Sequence, residues 1–270
     1  MSPTLAVHSV SAPGASPTKW LVFLHGILGS GSNWRTFARQ ITTAKPEWGA
    51  LLVDLRLHGE SVGFEPPHTV AAAAEDVVEA CTDKRIAGIL GHSFGGKVAV
   101  AAAARFPHLE HLFVVDSTPG ARPDYRGSSG VRSVVELLRE LPDHFPDRNA
   151  FTQWAVDRGV GRPTAMWLAM NVRQDSEGRF VFRIDVPSIR IMMEDYFKAD
   201  LWPVIDNPEN LFHTHLIAGG KSEVVDEADR ERAEKAAHCT IDVIPSAGHW
   251  VHVDAPDELK AMVLGYLATS

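Results

Sequence analysis

Only two cysteines, Cys81 and Cys239, occur in the 270 residues, one in a predicted helix and one just before a predicted strand. A disulfide framework is therefore not indicated, and a reducing compartment is expected. Long apolar runs are missing too: none approaches the roughly 20 residues of a membrane-spanning helix. The N-terminal stretch MSPTLAVHSVSAPGASPTKW has neither an uninterrupted apolar core nor an arginine-rich amphipathic pattern, so no signal or transit peptide is visible. A soluble cytoplasmic protein is expected, with an organelle open if a transit peptide was removed. Basic residues are the minority, 26 Lys plus Arg against 34 Asp plus Glu for a net charge of −8, and they form no run, which argues against a nucleic acid partner. Internal repeats, charge blocks and low-complexity linkers are lacking apart from short alanine runs that read as helix. Composition says nothing of oligomeric state.

What is present starts with Gly91-His92-Ser93-Phe94-Gly95, a G-x-S-x-G pentapeptide between the apolar run 86–90 and the helix-forming run 97–105. Ser93 is thereby predicted on a sharp strand-to-helix turn, where glycines on either side let backbones approach and the hydroxyl is pushed above the sheet edge. The following helix aims its N-terminal amides at the same place, and the Phe94 amide is expected to stabilise an oxyanion there.

A serine needs a base and an acid to orient it. His249, in SAGHWVH after the apolar run 240–244, lies in the loop expected after a last strand and is the predicted base. A second oxyanion amide is expected where the strand 20–24 runs into His25-Gly26-Ile27-Leu28-Gly29. Ile27 is assigned, with Leu28 as the fallback. Two carboxylates stand at strand ends and qualify as the acid: Asp116, after 111–115, and Glu223, in the loop GGKSE after 215–218.

Other polar residues have plainer explanations. His25 is expected to brace the oxyanion loop, His92 to point away from the reaction centre and His252 to pack. Asp54 to Ser61 (DLRLHGES) has no metal-ligand spacing, and Arg56 and His58 are expected to hydrogen-bond loop backbone. No metal or organic cofactor is called for.

Strand-like and helix-like runs alternate from 20 to 116: strands 20–24, 50–54, 86–90 and 111–115, helices near 33–44, 70–82 and 94–105. Alternation of this kind predicts an α/β fold, a mostly parallel doubly wound sheet covered by helices. From 118 to 210 it gives way to Pro and Gly breaks, helical periodicity near 131–141 and 165–172, and Trp154, Trp167 and Trp202, the marks of an inserted helical cap. It resumes at 213–218, 226–237, 240–244 and 256–268, so residues 1–117 and 211–270 are expected to form one core with 118–210 as cap. Trp154, Trp167 and Phe197 are expected either to line an apolar acyl pocket or to pack within the cap.

Taken together, HGILGS (25–30), DLRLHG (54–59), GHSFGGK (91–97), VDSTP (115–119) and AGHWVH (247–252) make nearly the whole chain resemble the α/β-hydrolase fold enzymes, in particular a branch of small esterases of bacteria, plant organelles and mitochondria. The resemblance implies a serine hydrolase acting on esters of short to medium acyl chains through an acyl-enzyme, with Asp116 as the acid. Some plant-like members carry an acid where Glu223 stands. It also implies two departures: Leu57 stands where the branch has asparagine, and Phe94 where it has methionine. Alternatives sharing the same serine are thioester or other bond cleavage and a slow-turnover ligand receptor.

Overall fold

Alternating apolar and helical runs become one wound sheet in the computed structural model, which describes residues 3–127 and 129–268. The first half comprises β1 (Val7–Val10), β2 (Lys19–Leu24), α1 (Arg35–Ala44), β3 (Trp48–Val53), α2 (Val70–Ala80), β4 (Ile86–His92), α3 (Phe94–Ala103) and β5 (His111–Val115). A long connection follows, with α4 (Ser129–Leu137), α5 (Arg148–Asp157), α6 (Arg162–Leu168), β6 (Val172–Gln174), β7 (Phe180–Phe182), α7 (Val186–Lys198) and α8 (Trp202–Ile205). The chain then returns through β8 (His213–Gly219), α9 (Glu227–Lys235), β9 (Cys239–Ile244), α10 (Val251–Asp254) and α11 (Pro256–Tyr266).

Among the described residues the main sheet has seven strands in the order β1-β3-β2-β4-β5-β8-β9. Every pairing is parallel except that of β1 with β3. β3, β4 and β5 are buried along their whole length, which is why they read as continuous apolar runs. The pleat sends alternate side chains to opposite faces. Val22, Leu24 and Val114 join one apolar cluster with residues of α2 and α3, and Leu21, Phe23, Phe113 and Val115 join another with α1 and α11. Each large side chain buried in this way contributes ~1.5–3 kcal/mol.

Parallel strands put all their carboxyl ends at one edge of the sheet, where ligands of wound α/β folds bind beside the point at which strand order reverses. The loops after β2, β4, β5, β8 and β9 therefore converge, and these are the loops that carry Ile27, Ser93, Asp116, Ser222 and His249.

Several elements differ from the sequence expectation. The antiparallel edge strand β1 is not foreshadowed, because VHSV is only half-covered and has no apolar run. The helix expected at 165–172 starts and stops earlier: α6 ends at Leu168, a single 3-10 turn follows, and Val172 already belongs to β6. α5 and α7 were not foreshadowed, although Asp147 and Asp185 cap them through their carboxylates.

Candidate active site

Ser93 sits between β4 and α3 with φ 53° and ψ −119°, a conformation of the kind that costs of order 1–3 kcal/mol and persists only when its surroundings enforce it. The enforcement is visible. The Ser93 amide donates to Val115 O at 3.0 Å and its carbonyl accepts from Gly96 N at 2.8 Å. A Cβ on Gly91 would lie 2.1 Å from Gly95 O, and one on Gly95 would lie 2.5 Å from His25 O, so only glycine lets α3 come this close to β4 and β2. The half-buried serine faces a cavity at the amino end of α3.

Asp116 is fully buried at the end of β5, at φ 43°. Its Oδ2 accepts from His249 Nδ1 at 2.7 Å and from Ser222 Oγ at 2.6 Å, and its Oδ1 accepts from Gly219 N at 2.9 Å. With Nδ1 carrying the proton toward Asp116, Nε2 is the nitrogen left free to act as a base. Glu223 is exposed, and among the described residues its carboxylate makes no hydrogen bond or ion pair with His249. What the loop GGKSE does supply is the hydroxyl of Ser222 and the amide of Gly219, which hold Asp116. Sequence reasoning missed both, and their only signal was a position beside β8, the neighbour of β5.

His249 and Ser93 line the same two cavities. Among the described residues no hydrogen bond joins Ser93 Oγ to His249, a contact that often tightens only when substrate arrives. The His249 loop is held from behind: its carbonyl accepts from His92 Nε2 at 2.8 Å. His92 is buried, and that burial, reinforced by His249 and His252 nearby, pulls its pKa well below 6.5. Contrary to the expectation that it would turn away from the reaction centre, the His92 ring lies beside His249, with centroids 4.8 Å apart, and lines the same cavity as Ser93. His252 packs on Trp34, ring centroids 4.6 Å apart.

Two buried histidines fix the loop after β2. His25 Nε2 accepts from Leu55 N at 3.0 Å while its Nδ1 donates to Gly26 O at 2.7 Å. His58 Nε2 accepts from Leu28 N at 3.0 Å while its Nδ1 donates to Arg56 O at 2.9 Å. Both rings must be neutral to accept these amides, and burial is the main cause that lowers them, His25 to about 4 and His58 to about 3. Arg56 reaches loop backbone as expected, at Pro67 O, and beyond that expectation pairs with Asp76 of α2 at 2.5 Å. Because the Leu28 amide is spent on His58, the fallback donor is unavailable. The amides of Ile27 and Phe94 have no acceptor among the described residues. Leu28, at φ 64°, turns its carbonyl to Asn171 Nδ2 at 2.9 Å, a tie from the β5–β8 connection that the sequence did not advertise.

The cavity in front of Ser93 has two lobes. The large one, about 520 Å³, is lined by Val131, Val134, Leu137, Val160, Trp167 and Trp250 among others. The small one, about 40 Å³, is bounded by Phe94, Met193, Tyr196 and Phe197. Of the aromatic residues in the connection, Trp167 and Phe197 thus line a cavity, whereas Trp154 packs against Phe145 and Phe151. Among the described residues no cluster of three or more His, Cys, Asp or Glu could hold a metal, and no helix is long and apolar enough to cross a membrane.

The chain belongs to the α/β-hydrolase family, whose model matches residues 21–262. It is 27% identical over 257 residues to the sn-1-specific diacylglycerol lipase ABHD11 of Danio rerio, covering 92% of this chain and 78% of that one. It is also 27% identical over 263 residues to the esterase YbfF of Escherichia coli, covering 92% of each. Among solved structures, a marine microorganism esterase superposes with a TM-score of 0.83 at 22% identity, covering 98% of this chain and 100% of the other, a likeness of fold.

Proposed function

We propose that this chain hydrolyses carboxylic esters of short to medium acyl chains, with Ser93 as nucleophile, His249 as general base and acid, Asp116 as the orienting carboxylate, and the Ile27 and Phe94 amides as the oxyanion hole. The observation that carries the reading is the bond from His249 Nδ1 to Asp116 Oδ2 at 2.7 Å, beside a serine held at φ 53°. Homologues named esterase and lipase support the ester as the bond attacked.

Ser93 Oγ attacks the carbonyl carbon as its proton passes to His249 Nε2, and the carbonyl oxygen takes up negative charge opposite the two amides. The tetrahedral adduct collapses, the carbon–alkoxy bond breaks, and His249 returns its proton to the departing alcohol. A water then attacks the acyl-serine, giving its proton to His249, which passes it to Ser93 as the acid leaves. Asp116, unable to move under its three hydrogen bonds, stabilises the imidazolium in both halves.

Residues 118–210 are read as a cap inserted between β5 and β8 over a core of 1–117 and 211–270, because this connection supplies most of the wall opposite Ser93. The two cysteines are unpaired, which suits a reducing compartment.

Hydrolysis of p-nitrophenyl butyrate by wild type and by Ser93→Ala tests the reading. Loss of at least about 10³-fold in kcat/KM in the variant is expected. Equal rates in both, or none in either, refute it.

A further inference from the structure

The two lobes that meet at Ser93 differ in volume by more than tenfold, about 520 against about 40 Å³. An ester has two limbs, acyl and alkoxy, and both diverge from the carbon that Ser93 attacks. We infer that the substrate is an asymmetric ester, with one limb of no more than about three carbons beyond the ester group seated in the small lobe and one long apolar limb in the large lobe, and that Phe94 and Met193 set the short limit. This rests on the ester-hydrolase reading above.

Size is the first argument. A water-sized group needs roughly 10–15 Å³ of such space, so the small lobe admits about three. Rigidity is the second. Phe94, Met193 and Phe197 are nearly fully buried, and Phe94 packs on Tyr196 with ring centroids 6.0 Å apart. The backbone behind that wall is pinned by Lys97, wholly buried on α3. Its Nζ donates to Tyr196 O at 2.6 Å, Ala199 O at 2.7 Å and Gly120 O at 2.8 Å, tying the end of α7 to the helix that carries the nucleophile. A close-packed wall of this kind does not yield to extra methylenes without strain.

Polarity is the third argument. The polar members of the small lobe are already engaged: Thr118 with Asp229 at 2.9 Å, Arg122 with Asp226 at 3.3 Å and with Asp229, Arg126 with Asp226 at 3.1 Å. Their polar groups are thus held by carboxylates. Around the large lobe the charged side chain is Arg158, and it lies over the Trp154 ring at 4.7 Å with Glu140 at 3.7 Å, so the long limb meets Val, Leu and Trp surfaces.

Three isomeric esters of identical formula separate shape from hydrophobicity: octyl acetate, methyl nonanoate and pentyl pentanoate. The expected result is that pentyl pentanoate has a kcat/KM at least about tenfold below the better of the other two, since a five-carbon limb overruns the small lobe. Whichever asymmetric isomer wins identifies the limb that enters it. Met193→Ala and Phe94→Ala should each raise the ratio of pentyl pentanoate to the preferred isomer by about threefold or more, a ratio from which any general loss of activity cancels. Comparable Ser93-dependent turnover of all three isomers, or unchanged ratios in both variants, overturns the inference and leaves the hydrolase reading standing. No turnover of any isomer, with p-nitrophenyl butyrate also untouched, overturns both.

Discussion

Acid should loosen this protein through the pair His25 and His58. Each accepts a backbone amide through Nε2, so protonating either ring sets a donor against a donor. Burial lowers the rings from 6.5 to about 4 and about 3 in the folded chain. Between pH 6.5 and those values the unfolded chain binds more protons than the folded one. The stability these groups provide is therefore whole above the unfolded pKa and is lost as pH falls toward the folded pKa. One ring gives up ~1.3 kcal/mol between about pH 7 and about pH 5.5, and the pair ~2.5 kcal/mol, a sizeable part of the ~5–15 kcal/mol that holds a domain together. His92, His215 and His252 are lowered as well and act in the same direction, whereas Asp229, raised by burial, acts against it at lower pH. Urea unfolding followed by circular dichroism at the two pH values measures it. His58→Gln is expected to lose about 1–3 kcal/mol at neutral pH, because Leu28 N is left without a good acceptor. The variant has also lost one titrating ring, so its curve should fall less steeply and converge with wild type toward acid. A wild-type stability that is flat over this range, or two parallel curves, refutes the argument.

Asp116→Asn should lower kcat by about 10³–10⁴-fold, since an amide cannot stabilise the His249 imidazolium, whereas Glu223→Gln should stay within about twofold in the same steady-state assay. Lys97→Met leaves one buried and two part-buried carbonyls without their donor and should cost about 2–5 kcal/mol, read as a fall in urea midpoint at neutral pH. Leu57→Asn should raise stability by about 0.5–1 kcal/mol in thermal unfolding, because the residue at φ 67° occupies a region that asparagine tolerates better than leucine.

The parts of the fold legible in the sequence were those whose physics is local or one-dimensional. Strands buried on both faces spell themselves out as apolar runs, and Gly91 and Gly95 announce a turn because nothing larger fits against β2 and α3. β1 stayed hidden because its pattern is that of a half-covered edge. The three-residue strands β6 and β7 are too short for any periodicity to register. The choice between Asp116 and Glu223 was open for a topological reason. β5 and β8 are neighbours, so both carboxylates arrive at the same sheet edge, and which one faces His249 depends on side-chain direction. Lys97 gave no warning because its three acceptors lie up to 102 residues away in sequence. Asn171 meets Leu28 across 143.

The grip on Asp116 has a consequence for the order in which this protein becomes competent during synthesis. The turn bearing Ser93 can close once β2, β4, α3 and β5 have left the ribosome, but the groups that immobilise Asp116 come from Gly219 and Ser222, and the proposed base from position 249. Until β8 docks, β5 is an open sheet edge and Asp116 lacks three of its partners. On the proposed mechanism the serine of the emerging polypeptide stays unarmed until β8 and β9 extend the sheet past β5 and bring in first the grip on Asp116 and then His249.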